Sequence, residues 1–233
     1  MANKLYPDAK AALFDLFDGA RVMSGGFGLS GNAENCIQAL AESGKKDLTI
    51  ISNNCGNQRQ GLAVLLQNRQ VKKFIGSYVG GNPDLEEQML KGEVDVELCP
   101  QGTFAERIRA GGAGIGGFYT PTGVGTVVAE GKDERVFDGK RMILETALTA
   151  DFALVRAQVA DTYGNLRFYG TSKNFSLAMA MAAKVTVAEV EWIVDKGEMP
   201  PDDVHLPGIF VDRIFIGQDH RNPIEYRTVR PRE

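Results

Sequence analysis

Histidine is scarce in this chain, with two residues among 233. His205 follows a loop rich in proline and aspartate, and His220 lies in a polar carboxy-terminal segment. Neither histidine falls at the end of a predicted strand, which argues against a Ser-His-Asp triad or a histidine metal site. No Gly-x-Ser-x-Gly, His-Glu-x-x-His or Walker A pattern occurs. We therefore expect no bound metal and no histidine-based catalysis.

Cysteine, long apolar runs and excess positive charge are also lacking. The three cysteines are an odd number without Cys-x-x-Cys spacing, which favours free thiols over a disulfide or a zinc site. No apolar run reaches the length of a membrane span, and the amino terminus resembles no targeting peptide. The formal net charge of −4 makes nucleic acid an unsuitable partner. These features predict a cytoplasmic protein without membrane association.

Glycine is abundant where the first predicted strand, Arg21 to Ser24, ends. The loop that follows comprises Gly25, Gly26, Phe27, Gly28, Leu29, Ser30 and Gly31, and a helical pattern begins near Glu34. This arrangement can direct backbone N–H groups at an anionic or carbonyl-bearing ligand. The loop also matches the dinucleotide fingerprint, but the acid expected about 20 residues later is missing, which disfavours NAD or FAD. A tight strand-to-helix turn without a ligand remains an alternative.

Strand and helix patterns alternate along the first half of the chain. An apolar run at 48–52, the segment 71–79 that ends before Gly80-Gly81, and an alternating run at 94–98 predict strands, with helical patterns between them. This order predicts an α/β fold with an open, mostly parallel sheet and helices on both faces. Short β segments at Thr126–Glu130, Glu134–Phe137 and Arg141–Leu144, with a hairpin turn at Asp138-Gly139, predict a small β-flap at about 118–146. We expect one domain over 1–217 and a polar tail over 218–233.

Polar residues follow each of the predicted parallel strands. Asn53 and Asn54 follow the second, Ser77 and Tyr78 lie at the end of the third, and Gln101 follows the fourth. Because ligands of such sheets bind at the carboxyl ends of the strands, these residues predict one crevice. Amide side chains stabilise a carbonyl or an oxyanion and do not transfer protons, and no activated nucleophile is evident. Turn formation at a strand end is the alternative role of the two asparagines.

Several blocks of the sequence are similar to those of one enzyme family. The chain resembles the A subunit of the family I 3-oxoacid CoA-transferases over nearly its whole length up to about residue 217. The similar blocks are Asp18-Gly19, Gly25-Gly26-Phe27 with Gly31 and Glu34, 52–56, 77–80, 100–103, 105–114, 118–123 and 151–155.

The resemblance implies a CoA-transferase-like fold and a ping-pong transfer of CoA from an acyl-CoA, such as succinyl-CoA, to a 3-oxoacid, such as acetoacetate. It places the nucleophile, a glutamate in a Ser-Glu-Asn-Gly motif, on a separate B subunit, and that motif is absent from this chain. It implies an A2B2 assembly, coenzyme A thioester as substrate and no permanently bound cofactor. It assigns CoA binding to the loop from Gly25 to Gly31. It also implies that Gln101, Asn53 and Asn54 face the glutamate of the partner.

Two positions depart from the family pattern. Asn32-Ala33 stands where relatives commonly have Ile-Pro, and Gly81 replaces a usual glutamate. Losing the proline removes a rigid start of the following helix. A protein that binds acyl-CoA without turnover is therefore one alternative function. A sugar-phosphate isomerase-like enzyme is another, although it needs an acid/base pair that the sequence does not reveal.

Overall fold

The computed structural model describes residues 3–219. The predictions for His220 and for most of the segment 218–233 concern residues outside this range. Within it, the strands are β1 (Arg21–Ser24), β2 (Leu48–Ile51), β3 (Val71–Gly76), β4 (Asp95–Leu98), β5 (Gly117–Thr120), β6 (Glu134–Phe137), β7 (Lys140–Thr146), β8 (Ala150–Asp161), β9 (Leu166–Arg167), β10 (Ala183–Val194) and β11 (Arg213–Ile216). The helices are α1 (Ala9–Ala12), α2 (Glu34–Glu42), α3 (Ala63–Gln67), α4 (Pro83–Leu90), α5 (Gln101–Gly112) and α6 (Ser176–Ala182).

The main sheet confirms the predicted α/β architecture. Its strand order is β11-β10-β8-β1-β2-β3-β4, with parallel pairing throughout, and only the short β9 runs antiparallel beside β8. β4 is an edge strand of this sheet, and its four residues are exposed or half-buried.

Helices cover both faces of this sheet. Successive residues of a strand point to opposite faces, so Val22 packs with the cluster of α1 to α4 while Met23 packs with that of α5 and α6. The same alternation separates Ile50 from Ile51 on β2. Burial on both faces accounts for the almost continuous apolar runs of the central strands.

A three-stranded antiparallel sheet, β5-β7-β6, lies between α5 and β8 in the chain and forms the flap. Asp138 and Gly139 both have positive φ, as expected of a hairpin with a two-residue turn. The predicted strand Thr126–Glu130 is wrong. The Thr126 hydroxyl donates to the Gly123 carbonyl at 2.7 Å and accepts from the Val128 N–H at 3.3 Å, which starts a 3-10 helix. The third strand of the flap is β5 instead.

Arg107 of α5 anchors the flap to the main sheet. Its guanidinium donates to Glu97 of β4 at 2.7 Å and to the Thr146 carbonyl of β7 at 2.7 Å. Arg107 is 7% exposed, so solvent screens these contacts little. The assignment of the flap and the main sheet to a single domain stays a prediction.

No helix among residues 3–219 is long and apolar enough to cross a membrane. All three cysteines are buried free thiols.

Candidate active site

The carboxyl ends of four adjacent parallel strands bring the sequence-predicted residues together. The glycine loop, Gly25–Gly31, follows β1, and Asn53 follows β2. Ser77 comes directly after β3, and Gln101 begins α5 shortly beyond the end of β4. Since β1, β2, β3 and β4 are neighbours in the sheet, these residues lie along one edge.

Three side chains at this edge form a hydrogen-bonded group, which we call the amide cluster: Asn53, Ser77 and Gln101. The Asn53 Nδ2 donates to Ser77 Oγ at 3.0 Å and to Gln101 Oε1 at 3.0 Å. The Ser77 hydroxyl also contacts Gln101 Oε1 and lies 3.2 Å from the Asn53 carbonyl oxygen. The Gly28 N–H donates to Asn53 Oδ1 at 3.4 Å, a long hydrogen bond from the glycine loop. The cluster therefore joins three strand ends to the glycine loop.

The cluster leaves one amide donor of Gln101 available. Its Oε1 is engaged by Asn53 and Ser77, whereas its Nε2 has no hydrogen-bond partner among residues 3–219. Asn53 is 4% exposed, but Gln101 is exposed. A fixed N–H donor at an exposed edge suits a carbonyl or an oxyanion of a ligand. The cluster contains no carboxylate, thiol or imidazole.

Asn54 has a different environment from Asn53. It is 6% exposed, and none of the hydrogen bonds of the amide cluster involves it. Of the residues that the sequence placed in the crevice, Ser77 joins the cluster and Asn54 does not. The position of Ser77 directly after a buried strand was the available sequence signal, but no neighbouring residue in the sequence distinguishes Ser77 from other serines.

Most backbone N–H groups of the glycine loop donate hydrogen bonds within the chain. Five of them donate within the chain: Gly25 to Leu154 O at 3.0 Å, Gly26 to Asn174 Oδ1 at 2.9 Å, Phe27 to Ser30 O at 3.0 Å, Ser30 to Phe27 O at 3.0 Å, and Gly28 to Asn53 Oδ1 at 3.4 Å. These five groups are not free to bind an anion in this conformation, contrary to the expectation from the sequence. The loop presents the Phe27 ring, which is 56% exposed.

Glycine is required at two positions of this loop. Gly26 has a φ of +123°, and a Cβ there would lie 1.9 Å from the Oδ1 of Asn32. A Cβ at Gly25 would lie 2.5 Å from the Oγ of Ser176 on α6. The loop is therefore packed closely against the segments behind it, and a larger residue cannot be accommodated without movement.

A distant carboxylate caps the helix that follows the loop. The N-cap of α2 is Ala33, which has no side-chain cap, but Glu189 of β10 accepts from the N–H groups of Asn35 at 2.8 Å and Cys36 at 3.3 Å. Those are the second and third residues of the helix, where a side chain at the N-cap normally bonds. Burial raises the pKa of Glu189 to about 7, although the two N–H groups favour its charged form. Glu189 thus fixes the start of α2, which the missing proline had suggested would be less rigid.

Two other titratable residues, His205 and Glu34, lie outside the amide cluster. The Nδ1 of His205 accepts from the Phe168 N–H at 3.0 Å, so this histidine connects two parts of the backbone. Burial raises the pKa of Glu34, which lies in the first turn of α2. Among residues 3–219, no group of three or more His, Cys, Asp and Glu side chains is arranged to hold a metal ion.

The chain is similar to known proteins over nearly its whole length. The model of the family described as coenzyme A transferase matches residues 6–217. The A subunit of succinyl-CoA:3-ketoacid coenzyme A transferase from Helicobacter pylori strain J99 is 52% identical over 98% of this chain and 98% of its own length. The protein of the same name from Xanthomonas campestris strain B100 is 55% identical over 97% of this chain and 94% of its own length.

The acyl-CoA transferase YdiF from Escherichia coli O157:H7, solved as a thioester complex with CoA, has a similar fold. Its TM-score is 0.85 at 24% identity, over 94% of this chain and 48% of the YdiF chain. This chain therefore corresponds to about half of that protein.

Proposed function

The chain belongs to the coenzyme A transferase family, and we propose that it acts as the A subunit of a two-chain enzyme that transfers CoA from succinyl-CoA to a 3-oxoacid such as acetoacetate. The family match and the names of the full-length relatives support transferase activity. Those relatives are named as A subunits, which supports a B subunit as the partner, and we propose an A2B2 heterotetramer in the cytoplasm. CoA thioester is the substrate in this proposal, and no resident cofactor is needed.

The reaction proposed is a ping-pong exchange in which the partner supplies the nucleophile. A carboxylate oxygen of its glutamate attacks the thioester carbonyl carbon, the C–O bond forms, the C–S bond breaks and the CoA thiolate leaves. The thiolate then attacks the glutamyl carbonyl of the resulting anhydride, which releases succinate and leaves a glutamyl-CoA thioester. Acetoacetate then attacks the glutamyl-CoA thioester, which forms a second anhydride and releases the CoA thiolate. The thiolate attacks the acetoacetyl carbonyl of this anhydride, so acetoacetyl-CoA leaves and the glutamate is regenerated.

We propose that Gln101 stabilises the carbonyl oxygen that becomes negative in each attack. The single observation that carries this role is the free Nε2 of Gln101 at an exposed edge, held by its Oε1 through Asn53 and Ser77. A donor already fixed in place needs no reorganisation when the charge develops. Asn53 then acts by orienting Gln101.

The other proposed site residues are supported less directly. Asn54 is adjacent to Asn53 in the sequence and is buried, but it lies outside the amide cluster. We propose that it supports the wall of the crevice. For the glycine loop, the proposed role is acyl-CoA binding through its surface and the exposed Phe27 ring, because five of its N–H groups are engaged.

The substitution Gln101→Glu tests this role with little disturbance of the fold. Glutamate has the same shape and can still accept from Asn53 and Ser77, but it places a carboxylate where the free donor was. An acid at the start of α5 is also compatible with the helix dipole. In the complex with the B subunit, we expect kcat for succinyl-CoA/acetoacetate exchange to fall by about 100-fold or more. Gln67→Glu, on the exposed side of α3, is the matched control and should retain wild-type kcat.

Trapping of the covalent intermediate tests whether the nucleophile belongs to the partner chain. After the complex is mixed with succinyl-CoA, hydroxylamine or borohydride should modify a glutamate of the partner. A modified carboxylate in this chain, or full exchange activity of this chain alone, would contradict the proposal. Unchanged kcat in Gln101→Glu would contradict the role of Gln101 without affecting the rest.

A further inference from the structure

One side chain from a distant segment holds both ends of the glycine loop. Asn174 lies between the 3-10 helix Gly170–Lys173 and α6, outside both elements. Its Oδ1 accepts from the Gly26 N–H at 2.9 Å, and its Nδ2 donates to the Ser30 carbonyl at 3.2 Å. The same Oδ1 accepts from the Phe175 N–H at 2.6 Å, which ties the side chain to its own backbone.

Only a neutral amide satisfies all three contacts. The Gly26 and Phe175 N–H groups need an acceptor, and the Ser30 carbonyl needs a donor. Aspartate has acceptors alone, so it would face the Ser30 carbonyl with a second negative oxygen. The loop also closes tightly on this amide, since a Cβ at Gly31 would lie 2.9 Å from the Asn174 Nδ2.

We infer that Asn174 is a positioning residue that holds the glycine loop in the shape in which it binds acyl-CoA. This inference rests on the proposed function of the loop. Asn174 bonds the loop at Gly26 and Ser30, on either side of the exposed Phe27 ring, so it fixes the direction in which that ring is presented. No sequence pattern indicated Asn174.

Asn174 should affect binding of the acyl-CoA more than the chemical step. Gln101 is held by Asn53 and Ser77, neither of which contacts Asn174. The connection from the loop to the amide cluster is the 3.4 Å contact from Gly28 to Asn53, which is at the long limit of a hydrogen bond. A change in the loop therefore reaches Gln101 weakly.

The test uses the Asn174→Asp variant in the complex with the B subunit, with steady-state kinetics for succinyl-CoA and acetoacetate. We expect KM for succinyl-CoA to rise by about tenfold, because the variant loses the hydrogen bond to the Ser30 carbonyl and its carboxylate repels that oxygen. The kcat and the KM for acetoacetate should stay within about twofold of wild type, since uniform binding of one substrate has been reduced. Asn3→Asp is the matched control: Asn3 is exposed, and within residues 3–219 its side chain bonds through Oδ1 alone, as acceptor from the Leu5 N–H, so the kinetics of this variant should equal those of wild type.

Three outcomes overturn the inference while leaving the proposed function intact. They are an unchanged KM for succinyl-CoA, a fall in kcat without a rise in that KM, and a loss of folding in Asn174→Asp measured by its unfolding temperature. If the wild-type complex itself exchanges no CoA, the proposed function and the inference both fail.

Discussion

Replacing Glu189 by glutamine should remove a pH-dependent loss of stability from this chain. Glu189 is 2% exposed and caps α2 through the N–H groups of Asn35 and Cys36. Burial raises its pKa from 4.5 to about 7, and the nearby Glu34 adds to the rise, while the two N–H groups and Arg156 oppose it. Glutamine preserves the volume and the two accepted hydrogen bonds but does not titrate.

The sign of the effect follows from proton binding. Between pH 4.5 and 7 the folded state holds a proton on Glu189 that the unfolded state has released. The free energy of unfolding therefore falls as the pH rises through this window and is constant above it, as far as this group contributes. A rise of about 2.5 pKa units corresponds to about 3 kcal/mol of stability that wild type loses between pH 4.5 and pH 8.

Urea unfolding of the isolated chain at several pH values measures this loss, with the fluorescence of Trp192, the only tryptophan, as the signal. The stability of Glu189→Gln relative to wild type should increase by about 3 kcal/mol from pH 4.5 to pH 8. Glu42→Gln, an exposed acid on the same helix, is the control and should stay within about 0.5 kcal/mol of wild type throughout. A difference between Glu189→Gln and wild type that is independent of pH would refute the reasoning.

Two further predictions concern the glycine loop and the flap. Gly26→Ala should destabilise the chain by about 3 kcal/mol, because it adds a Cβ where φ is +123° and the space is filled. Gly102→Ala, in a helix with nothing within 4 Å of the added Cβ, should be neutral or slightly stabilising in the same urea unfolding experiment, and equal effects would contradict the packing argument. Arg107→Met removes the contacts with Glu97 of β4 and with the Thr146 carbonyl of the flap and should cost about 2 kcal/mol, with faster hydrogen exchange in the flap. Arg109→Met, whose exposed side chain pairs within α5, should leave flap exchange unchanged; if both variants speed it equally, Arg107 does not anchor the flap.

The parallel sheet could be predicted because its signals are local. β2 is a short run of apolar and β-branched residues, and a helical pattern separates it from β3, an order that predicts parallel neighbours. The hairpin at Asp138-Gly139 could be predicted for the same reason, since its turn depends on two adjacent residues. The prediction of a strand at Thr126–Glu130 was wrong because a hydrogen bond of the Thr126 hydroxyl outweighs the strand propensity of the valines.

The order of strand patterns and polar residues along the chain was enough to place Asn53 and Gln101 at one edge of the sheet. Their contacts depend on how the chain packs: Ser77 joins the cluster, Asn54 does not, and Asn174 and Glu189 reach the glycine loop and its helix from the other half of the chain. Strand ends are set by patterns within a few residues, whereas these contacts join positions that come together only when the sheet and its helices pack.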